Sequence, residues 1–335
     1  MSSVPTDRAA GIETPLTHLF GLRHPVLLAP MAMVAGGRLA AAVSDAGGLG
    51  LIGGGYGDPD WLRGELIAAG SARIGIGFIT WALQDRTEVL DMALAHRPAA
   101  IMLSFGDPRP LGEVVTAANI PLICQVNTLD EARLAMAAGA DVIVAQGQEA
   151  GGHGRPGRGT LALTRAVVEV AAATPVVAAG GIADGAGLAA ALSLGAAGAL
   201  IGTRFYASSE ANDADPAKQA IANASGDDTL RTGVFDLVRG PAWPEGYDGR
   251  ALRNALSDRW HGNEAALAAE LPAVKGAYEK AAAAQDLETR VVWAGEGVDV
   301  IADVPPARQV LERLIDEAAG SLAAAAGESP RACRG

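Results

Sequence analysis

From residue 25 onward, short continuous apolar runs alternate with alanine-rich helical stretches. Strands are predicted at 26–30, 49–53, 74–79, 100–105, 121–126, 141–146, 175–179 and 198–203. The helices between them are predicted at 38–46, 59–69, 85–96, 111–119, 129–138, 163–173 and 186–194. Gly47-Gly48 stops the first of these helices, and Thr87 and Glu88 stand near the start of the third. The strands are apolar throughout rather than alternating, which is the pattern of a parallel sheet covered on both faces. A βα unit repeated eight times fits a (β/α)8 TIM barrel better than an open doubly wound sheet. After Phe205 the texture changes: 207–286 reads as helices broken by a polar, Pro/Gly-rich loop at 239–250, with no strong strand. The expected organisation is an α/β barrel from 1–205 and 287–320. A helical lobe at 206–286, inserted after strand eight, would cover the barrel mouth, and a flexible tail would follow at 321–335.

Composition narrows the class. The chain has 335 residues, half of them hydrophobic, which is ample for a core and rules out disorder. A net charge of −12, with no Lys/Arg-rich block, argues against nucleic acid or an anionic membrane as partner. Between Asp184 and Arg204 the chain carries no charge, a length close to a membrane span, but Gly, Ala and Ser dominate it. It reads as a helix followed by a buried strand. Cys124 and Cys333 are too few for a disulfide framework or a zinc cluster, so a reducing, cytoplasmic setting is expected. Residues 1–16 lack an apolar core, so no secretory signal is expected. Nothing in the residues fixes the oligomeric state, and a homodimer stays open.

The chemistry concentrates at strand ends. Two G-x-G-x-x-G matches, at Gly48–Gly53 and Gly152–Gly157, lie across a strand and within a loop, so neither has the context of a dinucleotide fingerprint. Strand seven runs into Ala179-Gly180-Gly181-Ile182 and strand eight into Ile201-Gly202-Thr203-Arg204. The loops after these two strands form the usual phosphate site of such barrels, with Thr203 adding a hydroxyl; tight βα turns alone are the competing explanation. His153, set among glycines past strand six, stands at the catalytic face and suits proton transfer near neutral pH. Its alternative is an exposed loop histidine, and His18, His24, His96 and His261 are weaker candidates. Gln125 and Gln146 end buried strands, where an amide must find partners. Arg155 and Arg158 would meet an anion or simply be solvated. No metal-ligand cluster, Cys/His dyad or nucleophile-elbow serine is present.

These residues also carry a family likeness. Ala29-Pro30-Met31, the stretch from Leu39 to Gly50, the run Ala145-Gln146-Gly147-Gln148-Glu149-Ala150-Gly151-Gly152-His153-Gly154, the stretch from Pro175 to Gly185 and that from Leu194 to Phe205 resemble the nitronate monooxygenase (2-nitropropane dioxygenase) family. The likeness runs from about residue 20 to 205, and more loosely to about 315. It implies a TIM barrel holding FMN across its strand ends. Ala29, Pro30, Met31 and Ala32 would border the isoalloxazine, and Gln146 and Gly151 would contact it. Gly180, Gly181, Leu200, Ile201, Gly202 and Thr203 would hold the phosphate. His153 matches the family's active-site histidine, as base on a neutral nitroalkane or donor to nitronate oxygens. The implied reaction oxidises an alkyl nitronate with O2 to a carbonyl compound and nitrite. FMN-dependent enoyl-acyl carrier protein reductases and NAD(P)H:quinone reductases share most of these motifs, so a nicotinamide-dependent flavin reductase is the alternative. One departure is Gly77, where many members carry a flavin-contacting asparagine; either the flavin environment differs, or Thr80 or Trp81 substitutes.

Overall fold

A computed structural model describes residues 11–84 and 86–327. Residues 1–10, Asp85, Cys333 and the rest of the expected tail beyond 327 lie outside the described residues. Among the described residues eleven strands appear in chain order: β1 Val26–Leu28, β2 Leu51–Gly55, β3 Gly75–Ile79, β4 Ile101–Ser104, β5 Leu122–Val126, β6 Val142–Gln146, β7 Gly152–Gly154, β8 Val176–Ala179, β9 Gly198–Ile201, β10 Thr229–Thr232 and β11 Asp248–Leu252. β1 to β6 with β8 and β9 form one parallel eight-stranded sheet, in the order β1-β9-β8-β6-β5-β4-β3-β2. A parallel bridge between Leu27 and Leu49 joins its two edges and closes the TIM barrel.

Side-chain alternation divides the core into two layers. Leu27, Met102, Ile123, Val142, Val144, Val177 and Leu200 fill the barrel interior, together with Leu16 and Phe20 of the short helix Pro15–Phe20. That helix plugs the end where the strands begin, and Thr14 Oγ1 donates to Ala197 O at 2.7 Å to fix it there. The residues between, among them Val26, Leu28, Ile101, Leu103, Ile143 and Ile201, face outward against the helices. With one end plugged, the strand C-termini make the open face.

The segment after Phe205 departs from the helical lobe expected of it. Besides helices at Asp215–Asn223, Val234–Arg239, Ala255–Trp260 and Glu264–Ala283, it contains β10 and β11. These pair antiparallel with each other, and β11 also pairs with β7, opposing Gly249 to His153. The strands escape a sequence reading because Asp248-Gly249-Arg250-Ala251-Leu252 has no apolar run; only Gly249 and Ala251 are buried. Val234, Phe235, Val238, Trp260, Leu267, Val274 and Tyr278 give the segment a core of its own. The chain then returns through an Ala251–Trp293 bridge to a final helix, Ala307–Ala325, which continues past residue 320, where a flexible tail was expected to begin. Its packing explains the extra length: Glu317 and Ala318 sit against Gly185, and Leu322 packs onto the barrel's outer layer. Among the described residues no helix is long and apolar enough to cross a membrane.

Candidate active site

The strand C-termini open into one cavity of about 1240 Å³, counting the space open to solvent. Ala29, Pro30, Met31, Ala32, Gln125, Gln146, Gly151, His153, Gly180, Gly181, Leu200, Gly202 and Thr203 all line it. Ile201 does not. It neighbours Leu200 on β9, and alternation turns its side chain outward into the helix-facing layer.

Small residues and bare backbone shape one side. Gly180 and Gly181 follow β8 with φ of 108° and 69°, a left-handed stretch open to glycine and strained for other residues. Their N–H groups meet no backbone acceptor among the described residues, and successive free amides of this kind form an anion-binding concavity. Gly151 answers a different need: a Cβ there would lie 2.5 Å from Gly295 N and 2.6 Å from Ala294 C. Thr203 Oγ1 accepts a hydrogen bond from Gly295 N at 3.0 Å, so the returning segment is tied to the end of β9.

Amides organise the floor. Gln125 donates to Gln146 Oε1 at 3.0 Å. Asn127 donates to the same oxygen at 3.0 Å and to Gln146 O at 2.8 Å. Gln146 Nε2 in turn donates to His153 O at 3.1 Å. The two glutamines thus hold each other, and Gln146 also holds the strand that carries the histidine, as its burial requires. At Gly77 the missing side chain is replaced by protein: a Cβ there would fall 2.3 Å from Cγ of Pro30. An asparagine would displace that ring. Thr80 and Trp81 do not line the cavity; the Thr80 hydroxyl and Trp81 Nε1 are buried without hydrogen-bond partners.

His153 sits in β7, held on every side. Its Nε2 lies 2.8 Å from Oδ1 of Asp236, and both side chains are only about 10% exposed. The Trp243 ring stacks on the imidazole at 3.6 Å between centroids and 7° between planes, and Trp293 is tilted against it at 4.9 Å. Trp243 also touches Trp81 and Phe105 edge-on, and its Nε1 donates to the Tyr56 hydroxyl at 3.0 Å. Burial pushes the Tyr56 phenol above its ordinary value. Arg231 staples the loop before β7, donating to Gln148 O at 3.0 Å and pairing with Asp248 at 2.7 Å. Arg155 is taken up by Glu131 at 3.0 Å and by the Tyr247 ring at 4.3 Å, while Arg158 is exposed. Arg239 is the arginine that lines the cavity. Cys124 is buried, and burial pushes its thiol up to about 12, which leaves it inert as a nucleophile.

Reasoning on the sequence missed Asn127, Asp236, Arg239, Trp243 and Trp293. Two signals were there. Asp236 is the lone carboxylate of an apolar turn, Val234-Phe235-Asp236-Leu237-Val238, and Trp243 and Tyr247 are aromatic in a loop of a chain with 4% aromatic residues.

The nitronate monooxygenase family model matches residues 13–73 and 76–317. A nitronate monooxygenase of Neurospora crassa is 34% identical, covering 95% of both chains. Among solved structures, FabK from Thermotoga maritima superposes with a TM-score of 0.82 at 31% identity, covering 94% of this chain and 99% of that one. A nitroalkane oxidase from Streptomyces ansochromogenes gives 0.78 at 30% identity, covering 93% and 100%.

Proposed function

The chain belongs to the nitronate monooxygenase family, a family of oxidoreductases, and from that premise we propose that it uses FMN and O2 to oxidise alkyl nitronates to carbonyl compounds and nitrite. The observation that carries the reading is one cavity with an anion-binding glycine turn at Gly180-Gly181 and an oriented histidine, His153, on its wall.

The residues fit the cofactor. Gly180 and Gly181, with Gly202 and Thr203, are the groups to hold a phosphate through backbone N–H and a hydroxyl. Ala29 to Ala32 leave room for a flat ring, Gly151 would meet it with backbone, and Gln125 and Gln146 offer amides to its polar edge. Pro30, seated over Gly77, offers an apolar contact in place of an amide. When bound, FMN supplies electron acceptance from the substrate and the reaction with O2.

The chain's own contribution is binding and proton handling. A nitronate carries its charge on the nitro oxygens, and Arg239 gives the cavity a cation to attract it. The rings of Tyr56, Phe105, Trp243 and Trp293 shield the site from water, which strengthens every polar interaction inside. His153 when protonated donates to nitronate oxygens, and when neutral takes the proton from the carbon of a nitroalkane. We read the protein as cytoplasmic, which its buried free thiol supports.

The test is the visible spectrum of the purified protein without oxygen. Flavin bleached by ethyl nitronate and not by NADH is the expected result. Bleaching by NADH alone would move the chain to the nicotinamide-dependent reductases, and a colourless protein that FMN cannot reconstitute would end both readings.

A further inference from the structure

We propose that Asp236 is a positioning residue that sets the tautomer of His153, leaving Nδ1 as a base ready to deprotonate neutral nitroalkanes. The inference rests on the reading above and deepens it: it names the residue that prepares His153 to act on the neutral substrate.

Three observations converge on the imidazole. Asp236 Oδ1 stands 2.8 Å from Nε2, and the two side chains are shielded together. A carboxylate can only accept, so the proton in that hydrogen bond belongs to Nε2 and the lone pair of the neutral ring to Nδ1. Trp243 stacks flat on the ring and Trp293 is tilted against it, so rotation away from Asp236 would break aromatic contacts as well as the hydrogen bond. Among the described residues Nδ1 has no hydrogen-bond partner, and His153 lines the cavity.

This arrangement is more than nitronate binding needs. A nitronate has already lost its proton, and a donor to its oxygens would suffice. Proton removal needs a base whose resulting charge is compensated. The α C–H bond of the nitroalkane breaks, its electron pair becomes the C=N bond of the nitronate, and the proton joins Nδ1. The ring then carries a positive charge beside Asp236, and the new negative charge rests on the nitro oxygens near Arg239. A buried carboxylate stabilises that imidazolium where water cannot.

Asp236→Asn tests this directly. The amide can donate to Nε2, which would move the ring proton to Nδ1 and remove the base. The first readout is anaerobic flavin reduction by nitroethane and by ethyl nitronate, measured side by side. The ratio of the nitroethane rate to the nitronate rate should fall about a hundredfold in the variant, and Asp236→Glu should recover part of it. Equal losses on both substrates would make Asp236 merely structural, and wild-type protein reduced by nitronate but never by nitroethane would overturn the proposal.

The second readout needs no turnover. The 15N NMR signals of His153 in the wild-type protein should show Nε2 protonated and Nδ1 bare, and a ring protonated at Nδ1 would overturn the assignment of the base. Should neither substrate reduce the flavin, the functional reading falls and the proposed base with it, while the NMR tautomer still reports whether Asp236 orients the ring.

Discussion

One wall of the cavity, formed by Ala29 to Ala32, Gly180, Gly181, Leu200, Gly202 and Thr203, is largely backbone and uncharged side chains on the ends of barrel strands. The other is made of large side chains, Trp243, Trp293, Arg239 and the Asp236–His153 pair, four of which come from chain that follows the eighth barrel strand. Backbone amides present the same surface whatever residues surround them, so the first wall suits a ligand that never changes. Side chains can be exchanged without disturbing the strands that face them, so the second wall suits the part of the reaction that differs among relatives. The division also predicts separable failures: loss of cofactor from one side, loss of turnover from the other.

The sharpest test of that separation is His153→Ala. Turnover should fall about 10²- to 10⁴-fold while the flavin absorbance per protein stays level; unchanged kinetics would remove His153 from the chemistry. Gly180→Val probes the opposite wall. Its φ of 108° and a Cβ 2.7 Å from Thr160 Oγ1 should cost the protein most of its flavin on gel filtration. A fully flavinated variant would place the phosphate elsewhere. A smaller effect is expected of Trp243→Ala, which removes the ring stacked on His153. KM should rise about two- to tenfold, the equivalent of roughly 0.5–1.5 kcal/mol for one aromatic contact, with flavin content untouched. Smallest of all, Gly202→Ala would put a Cβ 3.4 Å from that of Ala29 and 3.6 Å from Sδ of Met31, ordinary contacts. Thermal stability should stay within about 0.5 kcal/mol of wild type, so any weakening of FMN binding in a titration would report the ligand's own need for space.

The same contrast explains what could be read from the chain in advance. A buried parallel strand writes itself as a short apolar run, and its C-terminal end as a glycine or an amide, so Gly180, Gln125 and Gln146 announced the open face of the barrel. His153 was visible because glycines isolate it. Asp236 was not, because its significance lies in a partner 83 residues away across a sheet that no apolar run betrays. Ile201 shows the converse limit: the family likeness grouped it with Leu200 at the phosphate, and the two-residue period of the strand separated them. Gly77 was legible as a difference, yet the Pro30 ring that fills its place is a fact of tertiary packing alone.

The pairing of β7 with β11 has a consequence for how the protein acquires activity during folding. All eight barrel strands lie before residue 202, and their pairings, the closing β1–β9 pair included, involve no residue of the inserted segment. The strand bearing His153 is different: among the described residues its strand neighbour is β11, Asp248–Leu252, which is synthesised only after all eight barrel strands. A newly made chain would therefore complete the barrel before it completes the catalytic wall. The first intermediate with a full barrel should be a flavin binder in waiting, and the last event of folding would switch on catalysis.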